Sequence, residues 1–299
     1  MMTDSHFYIG PNVNAVGLTT QLQGMDSDGQ SVQLPVVAEK AVTLFLNNQE
    51  IVTAMTVGDY LEELAVGFLF NQNMISQEDK IEAIDYDEEL SVIVVRTDTK
   101  TNFEEKLQSK IRTSGCAQGT IYGDMVDKFD SIKLSKNSTI SKSQIINLSK
   151  KINTTPSLYL KAGAIHGCVL AKGDEPLIYM EDIGRHNAVD KISGVMFQNN
   201  ITAADKVFYT TGRLTSEMVL KTVIMGLPIL ISRSGFTEAG VSLARKAGLT
   251  LIGRARGSRF VALSGEERII FDDYNTDPDL ESDNRSAQRR MNDESLAYD

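Results

Sequence analysis

An α/β fold is what the sequence predicts: a layered domain on a mainly parallel sheet, joined to a smaller N-terminal α+β unit. The first reason is an alternation of short apolar runs at 207–210, 228–232 and 250–253 with amphipathic stretches at 213–225 and 237–247. That order is the strand–helix rhythm of a right-handed, largely parallel layer. The second reason is that residues before 97 read differently, as four strand-like runs around a single helix. A chain of 299 residues is long enough for one large domain or two small ones.

Taken in order, residues 1–34 are polar, lack a helical or strand period, and end in Asp26-Ser27-Asp28-Gly29-Gln30; they read as a mobile arm, with strand-like pieces that could pair on the body. Residues 36–46 alternate around Ala41, Thr43 and Phe45, and with 51–57 they form a hairpin across Asn47-Asn48-Gln49-Glu50. Gly58-Asp59 opens a helix that places Leu61, Leu64, Ala65, Phe68 and Leu69 on a core-facing side and stops at 71–73. A second strand pair, 81–86 and 90–96, turns at Asp87-Glu88-Glu89. Residues 98–140 are poorly periodic and read as a long loop, a type that is either functional or disordered. A helix over 141–151 and strands over 164–171 and 176–180 follow, the strands joined at Lys172-Gly173-Asp174-Glu175. Residues 260–263 and 268–271 suggest a closing hairpin before a flexible acidic tail. The organisation expected is an arm to 34, an α+β unit with its cysteine loop over 35–140, an α/β cofactor-binding domain over 141–270, and a tail over 271–299.

Net charge is −10, but it is concentrated at the ends: residues 1–30 carry three acids and no base, and 271–299 carry nine acids and three arginines. Residues 205–260 reverse the sign, with nine Lys or Arg against three acids. A basic segment in an acidic protein points to a defined anion site, not to general affinity for nucleic acid. The two cysteines, Cys116 and Cys168, have no paired spacing, which argues against a zinc site or disulfide framework. No signal-type N-terminus and no apolar run of about 18 residues is present, so a soluble, cytoplasmic protein without membrane contact is expected.

Residues 181–191 run Glu-Asp-Ile-Gly-Arg-His-Asn-Ala-Val-Asp-Lys where a strand hands over to a helix. Gly184 permits the turn, and the free N–H groups of the helix start attract anions. Arg185 and His186 fall in its first turn, with Asn187 and Asp190 on a shared side; the plain alternative is a solvated helix start capped by Asp182. Thr210-Thr211-Gly212-Arg213, Ser232-Arg233-Ser234-Gly235 and the run 253–260, with Arg254, Arg256, Gly257 and Arg259, offer N–H donors, hydroxyls and guanidinium groups for phosphate. In a parallel layer these loops share the rim at the C-terminal strand ends. Cys116 lies between Gly115 and Gly119, one helical turn from Arg112, and is the candidate nucleophile. Cys168 sits in an apolar run and reads as core. His166 is either a hydrogen-bonded core residue or a partner of His186 in one pocket, where charge changes near neutral pH suit proton transfer or anion binding.

The segment GRHNAVDK at 184–191, with Gly163-Ala164-Ile165-His166 upstream, resembles the signature of the formate dehydrogenase accessory sulfurtransferase family, FdhD. The resemblance spans about residues 36–270. It implies a cytidine-deaminase-like α/β/α domain, a homodimer, and a sulfur carrier. Sulfane sulfur would pass from a cysteine desulfurase, through a persulfide on Cys116, to the molybdenum bis(molybdopterin guanine dinucleotide) cofactor before its insertion into formate dehydrogenase. Cofactor-binding residues carried over are His166, Arg185, His186, Asn187, Asp190, Lys191, Gly212, Arg213, Arg233, Ser234, Arg254, Arg256, Gly257 and Arg259, with GDP as a surrogate ligand and no metal held by the protein itself. The family's loop carries Cys-x-x-Cys, whereas here the second position is Gly119. That departure keeps open a second reading, a cofactor-binding chaperone without sulfur transfer. A zinc nucleobase deaminase is a third reading, but it needs His-x-Glu and Pro-Cys-x-x-Cys, and His166 is followed by Gly167 and Cys168.

Overall fold

The computed structural model describes residues 8–98, 110–112, 120–122 and 128–273. Within the expected arm, strand-like pieces pair with each other. Strands β1 (Thr19–Met25) and β2 (Ser31–Val37) form an antiparallel hairpin. Asp26 shapes its turn, its Oδ1 accepting from the N–H groups of Asp28 (3.0 Å) and Gln30 (2.8 Å). Most of β1 is exposed and polar, so no buried face imposes a period of two on the sequence.

A four-stranded sheet follows, in the order β4-β3-β6-β5, built from β3 (Lys40–Leu46), β4 (Gln49–Thr56), β5 (Ile81–Asp87) and β6 (Val92–Thr97). The hairpins expected at 47–50 and 87–89 are both present, and β3 and β6 pair in parallel at the centre. Helix α1 (Leu61–Asn71) crosses between them with Glu62 and Glu63 in its first turn, where the positive dipole end favours them. Its Ala65, Val66 and Leu69 bury against Val42, Leu44, Leu46, Ile93 and Val95. Two short strands, β7 (Lys110–Arg112) and β8 (Thr120–Tyr122), pair antiparallel, and β9 (Ile140–Ser141) leads into α2 (Lys142–Thr154), which a complete capping box at Ser141 and Gln144 starts.

The second unit is a six-stranded sheet in the order β11-β10-β12-β13-β14-β15. Its strands are β10 (His166–Lys172), β11 (Glu175–Asp182), β12 (Val207–Thr210), β13 (Ile229–Ser232), β14 (Thr250–Arg256) and β15 (Arg259–Ser264). The expectation of a mainly parallel sheet is corrected here. Only β12–β13 and β13–β14 are parallel; the other three pairings are antiparallel. Tight turns are the reason for two of them, since β10–β11 and β14–β15 reverse at Gly173 (φ +59°) and Gly257 (φ +56°), and a two-residue loop can join only antiparallel neighbours.

Helices cover both faces. Helices α4 (Arg185–Gln198), α5 (Ser216–Ile224) and α6 (Glu238–Ala247) lie on one side and α2 on the other, while the short α3 (Leu158–Ala162) buries Leu158 in a separate cluster with Leu18, Val57 and Ile165. Strand alternation sorts the core: Phe208 and Leu230 face α4 and α5, whereas Val207, Tyr209, Ile229 and Ile231 face Ile145, Leu148 and Ile152 of α2. The closing hairpin is also corrected. Segment 260–263 lies in β15 and pairs with β14, while β16 (Ile269–Ile270) leaves that edge and pairs in parallel with β9. A turn at Gly265 (φ +67°) and the guanidinium of Arg268, which donates to the carbonyl of Ser135, carry the chain away.

The two units meet along α1 and α4, backbone against backbone. A Cβ on Gly67 would lie 1.7 Å from the carbonyl oxygen of Asp190, and one on Gly194 would lie 1.9 Å from that of Glu63. No residue but glycine fits either position.

Candidate functional site: a cationic rim above a buried ion network

Five segments converge at one end of the six-stranded sheet. Register fixes this, since His166 stands opposite Asp182, Cys168 opposite Thr210, Thr210 opposite Ser232, and Arg256 opposite Arg259. The loops leaving β11, β12, β13 and β14 therefore line one rim, with the start of β10 beside them, as expected for the C-terminal strand ends. Each loop holds the next. Thr211 N donates to Gly167 O (2.9 Å), Ser232 Oγ to Gly212 O (2.6 Å), Arg254 N to Ser234 O (2.7 Å) and Arg256 Nε to Arg233 O (3.1 Å).

The predicted arginines all reach this rim. Arg213, Arg254, Arg256 and Arg259 are exposed beside Gly257; Arg185, Arg233 and Ser234 are partly buried. Gly212 is itself buried, and a Cβ there would lie 2.8 Å from Cδ of Arg185, so its lack of a side chain lets the Arg185 stem cross the rim. Arg254 is held at φ +54° where the β14–β15 register breaks, a conformation that few residues other than glycine adopt. Arg233 lies over the Tyr159 ring at 6.0 Å. The rim's positive charge is arginine's. Burial first, then the Arg185 and Arg213 cations, lower the pKa of His166. Burial, Lys221 and Arg185 push His186 down to about 2. Both shifts favour the neutral imidazoles near pH 7.

Three signature residues sit elsewhere. Asn187, Asp190 and Lys191 are buried, and all are engaged within the protein. Lys191 Nζ lies 2.6 Å from Asp59, 2.7 Å from Asp182 and 3.0 Å from the carbonyl of Glu181, which uses all three donors. Burial works against its charge, but Asp182 and Asp59 outweigh burial and its pKa is raised. Asp182 also accepts from Thr56 Oγ1 (2.5 Å) and Asn187 Nδ2 (2.9 Å), and Asn187 donates to Met55 O (2.7 Å). Asp190 pairs with Lys221 Nζ (2.7 Å) and accepts from Asn71 Nδ2 (2.7 Å). These residues tie β4 and α1 to the second unit. Asp182 is a member of that network as well as a stop for the turn at Gly184, whose N–H it accepts at 3.1 Å.

Sequence reading missed Asp59, Asn71, Glu217 and Lys221. The last two carried a legible signal, a charged pair four residues apart in the otherwise apolar stretch 217–224. Cys168 is core, as expected: fully buried, its thiol 3.3 Å from Thr210 Oγ1 and pushed up to about 12 by burial. Cys116 lies outside the described residues. Among those described, no group of three or more side chains is arranged to hold a metal ion, and no helix is long and apolar enough to cross a membrane.

The arrangement of these loops has relatives. The family model described as the FdhD/NarQ family matches residues 37–270. The chain belongs to that family. Among its relatives is the sulfur carrier protein FdhD of Listeria monocytogenes serovar 1/2a, 30% identical over 243 residues, which are 80% of this chain and 93% of that protein. The protein of the same name from Staphylococcus aureus strain MRSA252 is 29% identical over 236 residues, covering 78% and 89% of the two chains. A crystal structure of a formate dehydrogenase accessory protein from Desulfotalea psychrophila superposes with a TM-score of 0.69 at 28% identity, over 85% of this chain and all of that one. The FdhD/NarQ match leaves out residues 1–36, so most of the β1–β2 hairpin lies beyond it. It takes in the whole rim, the buried ion network and the stretch that holds Cys116.

Proposed function

We propose that this FdhD/NarQ family member is a sulfur carrier in formate dehydrogenase maturation. Its relatives are named for sulfur carriage and for a formate dehydrogenase accessory role. The observation that carries the reading is the convergence of four loops and the start of β10 on one arginine-lined rim, a surface suited to a nucleotide diphosphate. On this reading Arg185, Arg213, Arg233, Arg254, Arg256 and Arg259 hold the guanine nucleotide ends of molybdenum bis(molybdopterin guanine dinucleotide). Gly212, Ser234 and Gly257 let the ligand approach the backbone, and His166 and His186 supply neutral polar contacts. GDP is the surrogate ligand, and Asn187, Asp190 and Lys191 act from the interior.

Cys116 is the sulfur-bearing residue in this proposal. Its thiolate attacks the terminal sulfur of a persulfide on a cysteine desulfurase; a new S–S bond forms on Cys116, the donor's S–S bond breaks, and the donor leaves as a thiolate. Cys168 takes no part, since a thiol fully buried and pushed up to about 12 supplies neither access nor thiolate. The cytidine-deaminase-like layering, a homodimer and a cytoplasmic site of action complete the reading. One observation favours the chaperone alternative: with Gly119 in the second position and Cys168 buried, no thiol is available to resolve the persulfide within the chain.

Intact-protein mass spectrometry after incubation with an active cysteine desulfurase and cysteine separates the two. A reducible gain of about 32 Da in the wild type and none in Cys116→Ala is the expected result. No gain in either protein means that the chain holds cofactor without carrying sulfur.

A further inference from the structure

His186 and Glu217 begin neighbouring helices at the rim, and their side chains meet. Nε2 of His186 lies 3.3 Å from Oε2 of Glu217, with the two side chains 15% and 8% exposed. The other ring nitrogen, Nδ1, is buried and has no hydrogen-bond partner among the described residues. Lys221 Nζ stands 4.0 Å from the second oxygen of Glu217 and is itself paired with Asp190. We propose that Glu217 is the positioning residue of the rim imidazole, its carboxylate accepting from Nε2–H of His186 and leaving Nδ1 as the acceptor offered to a ligand N–H or O–H.

The charges around the ring favour this state. Arg185, Arg213 and Lys221 surround His186, with the neutral ring of His166 nearby, and each cation opposes a proton on the second nitrogen. Burial raises the pKa of Glu217, and Lys221 and Arg185 pull the other way, toward the anion that accepts. The tautomer of a histidine is set by the bond its other nitrogen makes, and the acceptor within 3.3 Å of Nε2 is Glu217. An unpartnered acceptor in a buried site is costly, so a ligand donor placed there is held with specificity.

The chemistry divides the rim. Arginines suit phosphate oxygens, which donate nothing, whereas Nδ1 suits the donor groups of a base or ribose, such as the exocyclic amine of guanine. His186 also lines a narrow cleft against Val42, Leu44, Leu64 and Phe68. This assignment rests on the nucleotide reading given above for the ligand's identity, but not for the tautomer.

The test is nitrogen NMR of the 15N-labelled full chain without ligand, followed by GDP titration. The chain has three histidines, so the His186 signals are identified by their loss in His186→Gln. Wild type is expected to show a single neutral form protonated at Nε2 from pH 5 to 8. In Glu217→Ala the two tautomers mix and the GDP dissociation constant rises about tenfold, while Glu217→Gln, which keeps an acceptor, recovers most of that loss. A wild-type ring protonated at Nδ1 overturns the assignment, as does an unchanged single tautomer in Glu217→Ala. Should Glu217→Ala not fold, the wild-type tautomer decides alone. Wild type that shows the Nε2–H form yet binds no GDP sinks the nucleotide reading and leaves the Glu217–His186 assignment standing.

Discussion

Replacing Lys191 by methionine separates a structural signature from a ligand-reading one. The ammonium is fully buried between Asp59 (2.6 Å) and Asp182 (2.7 Å), with the Glu181 carbonyl as third acceptor. Lys191→Met keeps the volume and removes the charge. Asp59 is 17% exposed and can reach water, but Asp182 is 0% exposed and keeps only its neutral donors, Thr56, Gly184 N and Asn187. One buried anion is left without its cation, a loss of about 3–5 kcal/mol. At about 2–4 °C per kcal/mol for a chain this large, the melting midpoint falls by about 6–20 °C. Urea unfolding followed by circular dichroism at pH 7 reads the same loss as a lower midpoint at unchanged slope. Adding Asp182→Asn to Lys191→Met removes the stranded charge and restores at least half of the stability. GDP affinity of the folded variant stays within about twofold of wild type, because the site is separate from the rim. The linkage sign follows from the raised pKa of Lys191. Its contribution is fully present below the ordinary value of 10.5 and is lost as pH rises through the folded value, so the wild-type advantage is flat from pH 6 to 9. A stability loss under about 1 kcal/mol, or a large GDP defect at unchanged stability, refutes the buried-clamp account.

Two further predictions concern the helix crossing and the rim. Gly194→Ala puts a methyl carbon 1.9 Å from the Glu63 carbonyl oxygen; α1 and α4 must separate, and the loss of about 3 kcal/mol or more exceeds the helix-propensity gain of about 1 kcal/mol, read by thermal unfolding. A result at or above wild-type stability shows that the helices are not in contact there. His186 has its folded pKa lowered to about 2 from 6.5, so the unfolded chain takes the proton first as pH falls. Stability contributed by the neutral ring is present above pH 6.5 and drains below it, by up to about 1.4 kcal/mol per pH unit. His186→Gln lacks that acid-side slope when both proteins are unfolded in urea at pH 7, 6 and 5; equal slopes refute the assignment.

Much of the site was legible because its loops follow strands. Apolar runs at 207–210 and 228–232 are short, continuous and ended by small polar residues, so the strands observed at Val207–Thr210 and Ile229–Ser232 and the loops after them could be placed to within a residue. The helix after β12 begins at Ser216, not at 213, because Leu214 is held in a bridge to Phe236 and Thr215 takes the cap position. That bridge joins segments 22 residues apart, and no local pattern announces it.

Sequence by itself determined the strand–helix alternation, the concentration of arginines after strand ends, and the core place of Cys168. Each of these follows from local composition and period. Only the tertiary structure decided that Asn187, Asp190 and Lys191 face inward. A helix start rich in polar groups reads as a solvated or ligand-binding surface until its partners are known, and those partners, Met55, Asp59 and Asn71, come from about 120 to 130 positions away. The same holds for Gly67 and Gly194, whose missing side chains have meaning only once α1 and α4 touch. Burying a charge is costly unless a counter-charge meets it, and where that counter-charge lies is a property of the fold, not of the segment.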